Sequence, residues 1–293
     1  MFANACSIAR EFTFPIIISY KQANGECFSI MGSFVVINDD GWFVTAHHII
    51  SQLHKMRASY DSYHKLLANR KSIDEDQSLI QPIKKKQLAQ LKIEPTAIEN
   101  FSIWLGWDNV TLDKLIVLPQ IDLAVGRLKN FDKTKIRNYP LFKDPEKTME
   151  QGTSLCKIGF PFHVIKPVYE ENKGFILPKE SFPPPFFPLE GMFTRNVSVQ
   201  SDIKKPYPLM YIETSSPGLR GQSGGPTFDI HGVIWAIQSQ THHLKLSFGD
   251  SDANPKVSDH IKHQYLNVGW GIHAKTLIGF FKEHGIPFQL STY

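Results

Sequence analysis

The run Phe14-Pro15-Ile16-Ile17-Ile18-Ser19-Tyr20 is followed by the turn Ala23-Asn24-Gly25, a second run at Cys27–Ile30 and a third at Ser33–Ile37. The turn Asn38-Asp39-Asp40-Gly41 then leads into Trp42-Phe43-Val44-Thr45. β-Branched and aromatic runs fit a pleated surface, and Asn-Gly or Asp-Gly pairs supply the positive φ that a tight reversal needs. From about Phe12 to Ala46 the chain therefore reads as antiparallel hairpins.

Downstream the period changes. Leu53, Met56, Tyr60, Tyr63 and Leu67 recur at three- and four-residue steps, the spacing of an amphipathic helix. A weaker helical stretch lies near Lys84–Leu91, after the polar break Ser72–Gln81 that ends in Pro82. Residues 51–95 thus read as a helical hairpin inserted in a β domain. Strand-type text resumes at Phe101–Trp107, Lys114–Leu118 and Ile121–Leu128. A polar stretch, Lys129 to Gln151, reads as a crossover. Leu155–Phe160, Lys173–Leu177, Met192–Val199, Met210–Thr214, Thr227–Ile230 and Val233–Ser239 continue the β pattern. The run Phe182-Pro183-Pro184-Pro185-Phe186-Phe187-Pro188 reads as a stiff surface connection, and Leu246–Gln264 as a long polar loop. Ala274–His284 closes the chain as a short helix ended by Gly285. Many short strands with one helical insertion and a terminal helix point to an all-β pair of barrels.

Composition agrees with a globular protein of 293 residues, enough for two modest domains. The formal net charge is +4. Residues 51–95 alone hold nine basic and five acidic side chains, an excess as large as that of the whole chain. This mild surplus reads as a solvated helix surface, with docking of an acidic partner or nucleic acid as the lesser alternative. No apolar run reaches the roughly 20 residues of a spanning helix, and the N-terminus lacks the pattern of a secretory leader. Cys6, Cys27 and Cys156 are too few and too scattered for a disulfide framework. The expectation is a cytoplasmic protein without membrane contact, in which Asn109-Val110-Thr111 and Asn196-Val197-Ser198 are idle glycosylation sequons. His242-His243 and His260-Ile261-Lys262-His263 lack Cys or carboxylate partners at ligand spacing, so no metal and no cofactor is implied.

Three short segments carry chemistry. Ser223 lies in Gly221-Gln222-Ser223-Gly224-Gly225-Pro226, where glycines let the backbone turn so that successive N–H groups face one small cavity. The N–H groups of Gly221 and Ser223 could form an oxyanion hole there, although ordinary hairpin turns carry the same letters. His47 and His48 follow the run Trp42–Ala46 at a strand end, and physics alone does not choose between them. Asp122 falls within Ile121-Asp122-Leu123-Ala124-Val125, where strand alternation sets it apart from Ile121, Leu123 and Val125. An acid inside so apolar a strand needs a partner, either a His N–H or a backbone turn.

Thr45-Ala46-His47-His48, then Ile121-Asp122-Leu123-Ala124-Val125, then Gly221-Gln222-Ser223-Gly224-Gly225-Pro226 resemble, in that order, the chymotrypsin-fold (trypsin-like) serine peptidases, closest to the bacterial HtrA/Deg-type branch. Ile158-Gly159-Phe160-Pro161-Phe162, Ser215-Ser216-Pro217-Gly218 and Gly269-Trp270-Gly271-Ile272 extend the resemblance from about Phe12 to Phe281. It implies two Greek-key six-stranded β-barrels, with residues 12–130 carrying His48 and Asp122, and residues 152–273 carrying Ser223. Residues 131–151 would be the crossover, and 274–293 the terminal helix and tail. It implies a serine endopeptidase acting on protein or peptide substrates, with His48 as base, Asp122 orienting it, Ser223 as nucleophile, and Gly221 and Ser223 as the oxyanion hole.

By the same resemblance Pro217, Gly218, Gln238 and Ser239 flank the substrate side chain. Pro217 stands where an acid would attract Lys or Arg, so a small or apolar residue before the scissile bond is expected, with a polar one contacting Gln238 as the alternative. Gln222 replaces the Asp that in secreted relatives pairs with a newly cut N-terminus, so zymogen cleavage is not expected. Any gate would be loop ordering by substrate, oligomerisation or an activating partner. No PDZ-type domain follows the expected peptidase fold. The rival expectation is a binding or scaffold module that keeps the fold without the chemistry.

Overall fold

The computed structural model describes residues 1–246 and 265–292. Helix α1 (Ala3–Glu11) precedes strands β1 (Thr13–Gln22), β2 (Cys27–Val36) and β3 (Trp42–Ala46). Helices α2 (His47–Glu75) and α3 (Gln81–Gln90) follow, then β4 (Ile98–Leu105), β5 (Thr111–Leu118) and β6 (Leu123–Lys129). These six strands form one curled antiparallel sheet in the order β4-β1-β2-β3-β6-β5. The meander β1-β2-β3, the return of β4 beside β1 and the docking of the β5-β6 hairpin on β3 make a Greek key. Its edges, β4 and β5, share no ladder, so this sheet is the half-closed member of the pair.

The second half comprises β7 (Leu141–Phe142), β8 (Ser154–Lys157), the hairpin of β9 (Val168–Glu170) and β10 (Gly174–Ile176), β11 (Leu189–Ser198), β12 (Met210–Thr214) and β13 (Pro226–Phe228). β14 (Ile234–Lys245), β15 (Tyr265–His273), helix α4 (Ala274–Glu283) and β16 (Gln289–Leu290) complete it. The order β13-β8-β11-β12-β15-β14, with β14 pairing back to β13, closes a six-stranded barrel. The all-β double barrel with a helical insertion and a terminal helix is therefore the observed architecture.

Alternation sorts β6 between two cores. Leu123 and Val125 join the core shared by both barrels, with Phe142, Phe228 and Phe281, whereas Ala124 faces Ile16, Phe34 and Phe43 inside the first. Both faces are buried from Leu123 to Gly126, and only Arg127 and Lys129 at the far end of the strand are exposed. The same shared core takes up Leu277, Ile278 and Phe281 of α4, on the stripe that its spacing announces. At the start of that helix, the His273 ring accepts a hydrogen bond from Lys275 N–H at 2.9 Å. Burial pulls the His273 pKa down to about 4, which keeps the ring neutral and able to accept.

Three local expectations are corrected. The sequence reading places no element before Phe12, yet α1 buries Ala5, Cys6 and Ala9 in the core shared by both barrels. His48 does not end a strand, since β3 stops at Ala46 and both histidines open α2. Asp122 is not a strand residue. It ends a 3-10 turn with φ of 55°, and β6 begins after it.

The insertion forms two helices, and part of its positive charge is spent inside it. Arg70 Nη1 reaches Leu91 O at 2.6 Å, and Lys84 Nζ reaches Asp74 O at 2.5 Å, so both cations satisfy carbonyls at helix ends. Arg57 and Lys71 pair with Asp61 and Glu75 one turn on, leaving a surface of mixed sign.

Candidate active site

The site lies where the end of β3 meets the glycine-rich loop before β13. Ser33 on β2 stitches the two barrels together. Its N–H donates to Ser223 O at 2.8 Å and its hydroxyl to Gly221 O at 2.7 Å. Gly224, at φ of 82°, rests on the same spot. A Cβ there would collide with Ser33 O and Thr45 Oγ1 and sit 3.1 Å from Ala46 N. Only glycine allows Ser223 to approach the strand end that leads into His47 and His48.

Asp122 is buried, and its carboxylate is fully engaged. Oδ1 accepts His48 N–H at 2.7 Å, while Oδ2 lies 2.8 Å from His48 Nδ1 and accepts the Ser239 hydroxyl at 2.5 Å. His47 N–H is held by Asp122 O at 2.8 Å. The left-handed turn at Asp122 thus brings both its carbonyl and its carboxylate to the free N–H groups at the start of α2. Burial opposes ionisation of the carboxyl, but the hydrogen bonds and charge of His48 and the Ser239 hydroxyl outweigh it and hold it below the usual carboxylate range. Between the two adjacent histidines, the structure places the ring of His48, not that of His47, on Asp122.

On the other side, β14 runs beside the nucleophile loop. Gly224 N–H donates to Gln238 O at 2.7 Å and Gln238 N–H to Gly225 O at 2.8 Å. Ser223 Oγ faces Ser239 O at 3.5 Å, and the half-exposed His48 ring has no hydrogen bond to it among the described residues. The loop N–H groups alternate in use. Those of Gln222, Gly224 and Gly225 have backbone acceptors, whereas those of Gly221 and Ser223 have none among the described residues. Gly221 reaches this arrangement at φ of 94°, with Phe160 O pressed against the position of a Cβ.

Gln222 is fully buried. Its Nε2 donates to Phe187 O at 3.0 Å and its Oε1 accepts Leu219 N–H at 3.1 Å. A neutral amide therefore braces the loop from beneath, and the proline-rich segment supplies the brace. Phe187 N–H in turn donates to Gly159 O at 3.0 Å. Sequence reading treats that segment as a surface connection and gives it no part in the site.

Of the four residues expected at the substrate side chain, Ser239 O faces Ser223 Oγ, Gln238 bonds the backbone of Gly224 and Gly225, Gly218 packs on the Gln238 side chain, and Pro217 O accepts from Lys157. The structure adds two residues missed in the sequence. Thr241 Oγ1 bridges to Gly218, and Lys157 Nζ reaches Ser216 O and Pro217 O. Thr241 falls two residues past the strand as read, and Lys157 lies inside an apolar run that conceals where its amine ends. His242 stacks on Trp270 with ring centroids 3.6 Å apart and its Nε2 lies 3.2 Å from Gln240 Oε1. His260 and His263, with most of the polar loop read at Leu246–Gln264, lie outside the described residues.

No family model and no curated protein matches this chain. Among solved structures, the active form of the Rv3671c protease from M. tuberculosis aligns over 98% of this chain and 87% of its own, at 11% identity and a TM-score of 0.48. The HtrA-type protease AlgWS227A with tripeptide aligns over 98% of this chain and 64% of its own, at 16% identity and a TM-score of 0.47. Both TM-scores lie below 0.5, so the assignment of fold rests on strand order and barrel closure. By those criteria the chain has the double-barrel fold of the chymotrypsin-like serine peptidases.

Proposed function

We propose that this protein is a serine endopeptidase in which Ser223, His48 and Asp122 form the catalytic triad. The observation that carries this reading is the continuous contact from His48 Nδ1 to Asp122, from Asp122 to Ser239, and from Ser239 O to Ser223 Oγ across the two barrels. Asp122 as acceptor fixes the imidazole with its proton on Nδ1, which leaves Nε2 free to take a proton.

The chemistry then runs in two halves. His48 Nε2 takes the Ser223 hydroxyl proton as Oγ bonds to the scissile carbonyl carbon, and the carbonyl oxygen becomes an oxyanion held by Gly221 and Ser223 N–H. Collapse breaks the C–N bond, and His48 passes its proton to the departing amine. Water repeats the sequence on the acyl-enzyme and returns Ser223 to its starting form. The missing hydrogen bond from Ser223 Oγ to His48 does not count against this assignment, because such contacts tighten in the substrate complex.

Gln222 supports a site that does not await cleavage of its own chain. Its neutral amide does the bracing that an ion pair with a new N-terminus would otherwise do. A regulatory proteolytic role in a reducing compartment fits the buried, unlinked thiols of Cys6 and Cys156, whose sulfurs lie 3.9 Å apart. A disulfide between them in the native protein would reassign the compartment. A fluorophosphonate probe should modify the folded chain at Ser223, located by mass spectrometry. Ser223→Ala should abolish both labelling and turnover, a loss on the order of 10⁶-fold. A folded wild type that neither labels nor cleaves would favour the binding-module alternative.

A further inference from the structure

If the peptidase reading holds, the substrate side chain before the scissile bond must enter the space between two walls beside Ser223. One wall is the segment 216–221 and the other is β14 from Gln238 to Thr241. The clamps between Gln238 and the loop at Gly224 and Gly225 bring these walls together beneath the nucleophile. Three sets of contacts span or brace the gap between them.

The single hydroxyl of Thr241 accepts Gly218 N–H at 2.9 Å and donates to Gly218 O at 2.6 Å, tying one wall to the other. The buried Gln238 amide also reaches from β14 to Gly218. Its Nε2 donates to Gln240 O at 2.9 Å and Trp270 O at 3.2 Å, and packs so closely on Gly218 that a Cβ at that residue would collide with it. Gln238 Oε1 is buried without a hydrogen-bond partner among the described residues, so the amide is anchored through its nitrogen alone.

Lys157 extends from β8 behind the segment 216–217 and fills the room beside Gly269, where a Cβ would stand 2.6 Å from Nζ. The amine has acceptors for all three protons, in Ser216 O at 2.5 Å, Pro217 O at 3.0 Å and Ser216 Oγ at 3.1 Å. It is committed to holding the wall in place, and no carboxylate among the described residues pairs with it.

We infer that Thr241 and Gln238 are the specificity-determining residues of this site, and that they restrict cleavage to bonds that follow glycine, alanine or serine. A larger side chain would have to break both Thr241 hydrogen bonds and push aside an amide whose two N–H groups are already satisfied. Breaking satisfied polar contacts for an apolar guest discriminates by about 10²-fold or more. Lys157 removes the remaining escape, because the wall cannot retreat without stripping three hydrogen bonds from a buried amine.

The test uses the full chain and a series of peptides that differ only at the residue before the cleaved bond: Gly, Ala, Ser, Val, Leu, Phe, Glu and Lys. kcat/KM for the alanine or serine peptide should exceed that for leucine and phenylalanine by about 10²-fold. In Thr241→Gly and in the double variant with Gln238→Ala, the Leu-to-Ala ratio should rise at least tenfold. Wild-type cleavage after Leu, Phe or Lys as fast as after Ala would overturn the inference. A preference for Glu would overturn it too and make Lys157 a ligand for substrate. Fluorophosphonate labelling of Ser223 needs no side chain in this space, so it separates the two readings. A labelled enzyme without small-residue preference, or one that cleaves none of the series, sinks only this inference. An unlabelled one sinks the peptidase reading with it.

Discussion

Where the first barrel reaches the site with side chains, His48 at the start of α2 and Asp122 on the turn before β6, the second reaches it mainly with backbone. Its loop at 221–225 offers two N–H groups and holds Ser223 on glycines at positive φ. Side chains can be exchanged one at a time while the fold stays intact. A backbone constellation cannot, because every added atom moves the loop. The first barrel should therefore show large losses of activity with small losses of stability, and the second should lose both together.

The largest break in that contrast is Gly224→Ala. The new Cβ would strike Ser33 O at a positive φ, and relief requires the loop and β2 to part. Strain and overpacking together should cost about 3 kcal/mol. Chemical denaturation should show that loss alongside a drop in turnover of about 10²-fold, since the oxyanion donors move with the loop. Unchanged stability with normal activity would remove the claim that Gly224 sets the distance between the barrels.

Gln222→Ala should come next. It removes a fully buried amide and takes the partner from Phe187 O and Leu219 N–H, at about 2 kcal/mol of stability. Turnover should fall while His48 and Asp122 remain in place. If activity in this variant requires removal of N-terminal residues, the neutral brace is the wrong account of how the loop is ordered.

The smallest effect expected is a pH slope. Burial pulls the Lys157 pKa down to about 7, against 10.5 for an exposed lysine. Between these values the unfolded chain binds more protons than the folded one, so this group makes stability rise with pH across that window. Denaturation midpoints measured from pH 7 to 10 should climb in the wild type, and the climb should shrink in Lys157→Met. An identical slope in both proteins would assign it to other groups.

Legibility in the sequence follows the same division. Strand text, the two insertion helices and the terminal helix ended by Gly285 are local patterns, and they are readable. The motif around Ser223 also reads well, since glycines cluster where the backbone must turn. Asp122 was legible as a residue needing a partner, but its left-handed turn was not, because Ile121 and Leu123 imitate a strand on either side. The brace between Gln222 and Phe187 and the staple between Thr241 and Gly218 join residues 35 and 23 apart in the chain. No local pattern announces such contacts, and α1 escaped because its burial depends on a barrel formed far downstream.

The central claim is that the side chains of the first barrel activate a serine held by the backbone of the second. The most direct measurement is the second-order rate of Ser223 acylation by a fluorophosphonate, in wild type and in Asp122→Asn. The asparagine preserves shape but gives His48 the wrong tautomer, so the rate should fall about 10³- to 10⁴-fold with little change in folding. Equal rates in the two proteins, or modification at a residue other than Ser223, would contradict the account.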